Sequence, residues 1–221
     1  MTDPLAKQRR GCFFYGCLAS SALLAASLTT AFLGLWHLKQ ALNEFTDKRP
    51  IPTPVAQVSA AQGEALRQRV EAFEQAIRDH RPAAPLVLSA QDLNALIATD
   101  PHLDALRGKL QVVIEGNRLL GLVSVPVSEA GLNMFEGRYL NGTATFGLSL
   151  DSGLLWVWFD NFQVRGKSLP RLLMNRIRRQ NLAERFKPDA NAAGVLDRLQ
   201  ALEVRDGKLI VLPLRGSGTA R

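Results

Sequence analysis

The sequence predicts an α+β fold, in which an N-terminal transmembrane helix precedes an antiparallel β-sheet domain packed with several helices. Three observations predict it. An apolar run opens the chain, helix-periodic segments follow it, and three pairs of apolar segments are then joined by short turn sequences. The 221 residues suit one membrane segment and one domain of ordinary size.

The N-terminal apolar run extends from Cys12 to Trp36 without a charged residue. As a helix rising about 1.5 Å per residue, it is longer than the ~30 Å hydrocarbon layer. A cleaved signal peptide would have an apolar region of only about 7–15 residues and a small-residue cleavage site. The run instead ends in Phe-Leu-Gly-Leu-Trp. It therefore predicts an uncleaved signal-anchor over residues 12–36.

The charges around this run predict its orientation. Lys7, Arg9 and Arg10 lie in a short leader, residues 1–11, and basic residues favour the cytoplasmic side. We therefore expect a single-pass protein of the cell inner membrane with its domain on the periplasmic side. Cys12 and Cys17 both lie in the run, so no disulfide is expected in the domain.

Local signals divide the rest of the chain into a juxtamembrane and Pro-rich linker (37–58), the α+β domain (59–214) and a flexible tail (215–221). Ser59 predicts the start of a helix to about His80, and Ser89 with Asp92 predicts a capping box. Residues 85–89 predict a short strand. The predicted hairpins pair 109–115 with 118–127, 137–150 with 154–165, and 201–205 with 208–214.

Between the second and third hairpins, the sequence predicts a helix from Ser168 to about Phe186 and a shorter one holding Val195, Leu196 and Leu199. The first of these helices is strongly basic. Residues 165–187 carry eight basic residues against one acidic residue, a charge equal to the net +7 of the whole chain. A seven-residue spacing places Arg171, Arg178 and Arg185 on one helical face.

This basic face has three interpretations: a solvated helix surface, a contact with anionic lipid headgroups, or a nucleic-acid site. The periplasmic location and the lack of interleaved aromatic residues argue against nucleic acid. The candidate contacts with anionic lipid are Arg171, Arg178, Arg179 and Arg185.

The strand 154–164 is apolar on both faces, whereas a strand with one face in water should alternate. Simple alternation groups Trp156, Trp158 and Phe162 on one face, and these three are the candidate contacts for an apolar ligand. If the helices cover only one face, the other must meet a ligand, a protein partner or a second sheet.

Catalytic motifs are absent from the sequence. His37, His80 and His102 lack metal-ligand spacing, and no G-x-S-x-G or P-loop pattern occurs. Gly216-Ser-Gly218 lacks the third glycine of a dinucleotide site. We therefore expect a protein without catalytic residues, cofactor or metal.

Four stretches carry a resemblance to a known group: LVLSAQDLNALIA (86–98), GRYLNGTATF (137–146), VRGKSLP (164–170) and LEVRDGKLIV (202–211). They resemble uncharacterised bacterial single-pass membrane-anchored proteins with an extracytoplasmic α+β domain. The order of elements is distantly similar to bacterial anchored lipid-binding-like domains. The resemblance covers about residues 85–212 and implies no catalytic residues.

These observations favour a membrane-anchored envelope protein that binds a hydrophobic or lipid-like ligand or the membrane surface. The alternative is a protein–protein interaction or assembly module, including a homo-oligomer, whose interface is an apolar sheet face.

Overall fold

The structure, a computed structural model, describes residues 11–129, 137–185 and 194–214. The chain divides into two compact units, Met1–Phe45 and Thr46–Arg221. The described part of the first unit is one 35-residue helix, α1 (Gly11–Phe45), which contains the whole uncharged run. Leu24, Leu28 and Phe32 are among its exposed apolar side chains. Within the described residues, no helix combines the length and apolarity needed to cross a membrane.

The second unit has the predicted α+β composition with antiparallel sheets. Its helices are α2 (Ala60–Arg78), α3 (Ala90–Thr99) and α4 (Arg171–Arg178), with 3₁₀ helices at Pro101–Leu106 and Leu182–Arg185. Its strands are β1 (Leu86–Ser89), β2 (Leu110–Glu115), β3 (Arg118–Pro126), β4 (Tyr139–Asp151), β5 (Leu154–Val164), β6 (Lys167–Ser168), β7 (Leu199–Arg205) and β8 (Lys208–Pro213). The capped helices and all three predicted hairpins are confirmed.

The strands form two antiparallel sheets rather than one. The larger sheet has the order β2-β3-β4-β5-β6, and the smaller has the order β1-β8-β7. A core cluster joins α2 and α3 to the smaller sheet through residues such as Leu66, Phe73, Leu88 and Val211. Both capped helices therefore pack against the three-stranded sheet.

The strand register assigns the side chains of the larger sheet to two faces. Val123 pairs with Gly142 and Leu148 with Val157, and these positions share a face with Phe146 and Phe159. We call this the inner face, because α3, α4 and the smaller sheet supply the residues that cover it. The outer face carries Leu122, Trp156 and Trp158. Among the described residues, the helices that contact the larger sheet therefore cover its inner face.

The segment after α1 is fixed to the domain at the outer face. Asp47 and Tyr139 exchange backbone hydrogen bonds of 2.9 and 2.8 Å. The buried amide of Asn141 donates to Arg49 O at 2.9 Å, and its Oδ1 accepts from Ile51 N at 3.2 Å. Residues 46–53 thus belong to the second compact unit, which begins at Thr46.

Two helix predictions need correction. The predicted helix to Phe186 ends at Arg178, because Asn181 turns back to bond the edge of β5 and a 3₁₀ helix follows. In the shorter predicted helix, Val195 and Leu196 are helical. Leu199 is instead the first residue of β7, where it pairs with Pro213. Residues 186–193 lie outside the described residues.

Candidate ligand-binding cavities

The segment Ser89-Ala-Gln-Asp-Leu-Asn94 fixes one side of the candidate site. The Ser89 hydroxyl accepts from Asp92 N at 3.1 Å, and the Asp92 carboxylate accepts from Ser89 N at 2.9 Å. Burial alone would raise the pKa of Asp92, but hydrogen bonds from Ser89 and the nearby Arg69 outweigh it and lower that pKa. The capping box therefore fixes where α3 begins relative to β1.

Asn94 joins α3 to the edge of the larger sheet. Its Nδ2 donates to Val112 O and its Oδ1 accepts from Val112 N, both at 2.7 Å. The side-chain amide thus occupies the place that a neighbouring strand would take. An edge strand carries unpaired backbone groups. This contact gives hydrogen-bond partners to the N–H and C=O of Val112 and prevents another strand from pairing with β2 at that residue.

Asn181 has the same function at the other side of the sheet. Its Oδ1 accepts from Val157 N and its Nδ2 donates to Leu155 O, each at 3.0 Å. The two-residue strand β6 pairs only with Gln163 and Val164 of β5, so it leaves this part of the edge uncovered. Two asparagines therefore hold α3 and the segment after α4 against opposite edges of one sheet.

Held in this way, α3 projects Leu93, Leu96 and Ile97 toward the inner face, and a first cavity of about 240 Å³ remains between them. Thirteen residues line it, and every one is leucine, isoleucine or valine. They come from α3, the first 3₁₀ helix, the inner face of the larger sheet and, through Leu202 and Leu209, the smaller sheet.

A second cavity of about 300 Å³ adjoins the first, and Leu106 and Leu110 line both. Phe146, Phe159 and Leu182 form much of its wall. Its charged lining residues are Lys109 and Glu129, whose Nζ–Oε1 distance is 3.0 Å. Neither cavity is fully enclosed.

The size and chemistry of these cavities distinguish them from ordinary packing defects. Protein interiors contain few voids larger than a water molecule. An apolar cavity of about 150 Å³ can stay dry and bind benzene or xenon, because its walls offer water no hydrogen bonds. The lining of the first cavity is equally apolar, and the cavity opens to solvent. The arrangement can therefore hold an apolar chain or ring system that enters from solvent.

The apolar candidates named from sequence are not brought together. A register shift between Thr145 and Phe146 inserts an extra residue in β5 after Phe159, so the alternation reverses there. Trp156 and Trp158 lie on the outer face, where a Cβ at Gly147 would be 2.2 Å from the Trp158 ring. Phe162 lies on the inner side, fully buried, and stacks edge-on against Phe159 at 5.6 Å. Grouping the three on one face was wrong.

The basic candidates are placed as follows. Arg171, Arg178 and Arg179 are exposed on α4 or at its C-cap, while Leu169 and Ile177 are buried. Arg178 donates to Asp160 O and lies 3.6 Å from the Asp160 carboxylate. Arg185 ends the second 3₁₀ helix beyond α4, so the predicted three-residue stripe on one helix was wrong.

The cavity-lining residues were missed as a site, although the sequence carried a signal for them. The helical spacing of Leu93, Leu96 and Ile97 predicted an apolar face, which is more often part of a filled core. Nothing in that spacing shows how closely the opposite wall approaches. As for metal sites, no group of three or more His, Cys, Asp or Glu residues able to hold an ion occurs in the described part of the chain.

Comparison with known proteins adds no relative. No family model matches the chain, and neither a curated protein nor a solved structure matches it.

Proposed function

We propose that the domain is a non-catalytic binding module that holds a hydrophobic or lipid-like ligand in its two adjoining cavities. The observation that carries the proposal is the lining of the first cavity, whose described residues are all Leu, Ile or Val. The second cavity extends this space toward a single ion pair. The joined volumes fall in the range of about 300–1,000 Å³ that is typical of ligand pockets.

Burial of apolar surface supplies the binding free energy on this proposal. An apolar chain in these open cavities contributes about 0.8 kcal/mol for each CH₂ group removed from water.

The proposal also includes a membrane anchor in the bacterial inner membrane. Although α1 does not combine the required length and apolarity over its described residues, the sequence from Cys12 to Trp36 carries no charge, and apolar side chains such as Leu24 and Phe32 are exposed on the helix. An anchored domain would meet its ligand at the bilayer surface. On this account the domain takes up a lipid-like molecule near the membrane that anchors it.

The test uses a variant that fills the site and a matched variant that does not. Leu106 lines both cavities, so Leu106→Trp should occlude them. Leu122 is 41% exposed on the outer face, so Leu122→Trp is the control. Mass spectrometry of molecules that co-purify with each protein should find an apolar compound with wild type and Leu122→Trp, and much less with Leu106→Trp. Equal amounts with all three proteins would exclude the cavities as the site.

The second candidate function is an assembly module, favoured by the outer face. Trp156 and Leu154 lie on the same face of β5 and are 37% and 58% exposed. A protein partner or a second copy would cover these two side chains. Sedimentation of wild type and a Trp156→Ser, Leu154→Ser double variant tests it. A larger wild-type assembly that the substitutions dissociate would support this function.

A further inference from the structure

Among the described residues that line the cavities, Lys109 and Glu129 are the charged pair, and this pair indicates the chemistry of the ligand. Lys109 Nζ donates to both carboxylate oxygens of Glu129, at 3.0 and 3.2 Å, at one wall of the second cavity. The remaining described lining residues of both cavities are apolar. An amphiphilic ligand therefore has a single favourable orientation, with its apolar part inside and its head at this pair.

We propose that the ligand is a single-chain amphiphile with a carboxylate head, which takes the place of the Glu129 carboxylate on Lys109. This inference rests on the proposed function. Lys109 already binds a carboxylate through both oxygens, so its ammonium group is placed to receive another. Among the described lining residues the single basic group is one lysine, whose one positive charge matches the single negative charge of a carboxylate head.

Exchange of the carboxylates is energetically feasible. The side chains of Lys109 and Glu129 are 35% and 38% exposed, and ion pairs this accessible to water contribute at most about 1 kcal/mol. A ligand head that displaces Glu129 from Lys109 recovers a similar interaction with the ammonium group. The apolar chain in the cavities then supplies the net affinity, while the head determines orientation.

The experiment uses two photoreactive probes on the full-length protein in phosphatidylcholine nanodiscs. One is a straight-chain fatty acid with a diazirine at its methyl end, and the other is the matching fatty alcohol. Crosslinked residues are mapped by mass spectrometry. We expect both probes to label inner-cavity residues such as Leu148 and Leu202, which lie in the first cavity, away from Lys109.

Two substitutions at the ion pair and one control separate head recognition from chain binding. Lys109→Gln should lower labelling by the acid about fivefold, and Glu129→Gln should raise it, since it removes the competing charge. Labelling by the alcohol should not change in either variant, which also reports that the cavities remain folded. Lys208→Gln, at an exposed position of β8, should affect neither probe.

The possible failures are distinguishable. Equal cavity labelling by acid and alcohol, unaffected by Lys109→Gln and Glu129→Gln, would overturn the carboxylate inference and leave apolar binding intact. Labelling confined to residues outside the cavities, with either probe, would overturn the proposed function and this inference with it.

Discussion

The contact between Asn94 and the β2 edge predicts a large loss of stability on Asn94→Ala. Both hydrogen bonds to Val112 are 2.7 Å long, and Val112 is buried, with 9% of its surface exposed. Truncation leaves its N–H and C=O without partners beneath α3. A buried polar group left unsatisfied costs about 1–3 kcal/mol. The two groups together should lower the free energy of unfolding by about 3 kcal/mol.

The assay is thermal and urea unfolding of the compact unit, residues 46–221. For a domain of this size, a loss of 3 kcal/mol lowers Tm by roughly 6–12 °C. The matched control is Gln91→Ala, at an exposed position of the same helix, which should change stability by less than about 0.5 kcal/mol. If Asn94→Ala were as mild as the control, the edge contact would not hold α3 in place.

Three further predictions concern the anchor, the linker and the capping box. Leu24→Arg should reduce membrane insertion measured by carbonate extraction, because a central arginine costs about 2.5–3.5 kcal/mol; unchanged insertion would count against the anchor. A chain beginning at Ala56 should have a free energy of unfolding about 2–4 kcal/mol lower than one beginning at Thr46, because buried Asn141 loses its linker partners. Equal midpoints of urea unfolding for the two chains would refute this. Because the folded pKa of Asp92 lies below its ordinary 3.8, its stabilisation is present above that pH and fades as pH falls through the lower folded value. At pH 7 the free energy of unfolding of wild type should therefore be about 1 kcal/mol higher than that of Asp92→Asn. Urea unfolding measured at several pH values should show this difference closing below about pH 3.8, and a difference that stays constant with pH would contradict the assignment.

The fold was largely predictable because its signals are local. Ser59 and Ser89 each cap a helix by hydrogen bonds with the residue three positions later, Gln62 and Asp92. The turn residues Asp206 and Gly207 adopt positive φ angles of 53° and 74°, as their residue types favour. Pattern alone could not divide the strands into two sheets. β1 pairs with β8 across more than a hundred residues, and no local feature of Leu86–Ser89 specifies that partner.

The candidate site was harder to predict because two non-local features determine it. The register shift in β5 reverses the side-chain alternation between Trp158 and Phe162, and it depends on how β5 pairs with β4. The edge contacts of Asn94 and Asn181 depend on strands 18 and 24 residues away. The helical periodicity identified the apolar side of α3. The first cavity, which Leu96 lines, depends on how α3 packs against the sheets and therefore could not be predicted from that periodicity.

The most direct test of ligand binding in the cavities is methyl NMR of the compact unit, with leucine and valine methyl groups labelled, during titration with a straight-chain fatty acid. We predict saturable shifts at cavity-lining residues such as Leu148, Val157 and Leu202, and none at the outer-face residues Leu122 and Leu154. Shifts confined to the outer face, or no saturable shift at any inner-face methyl group, would contradict it.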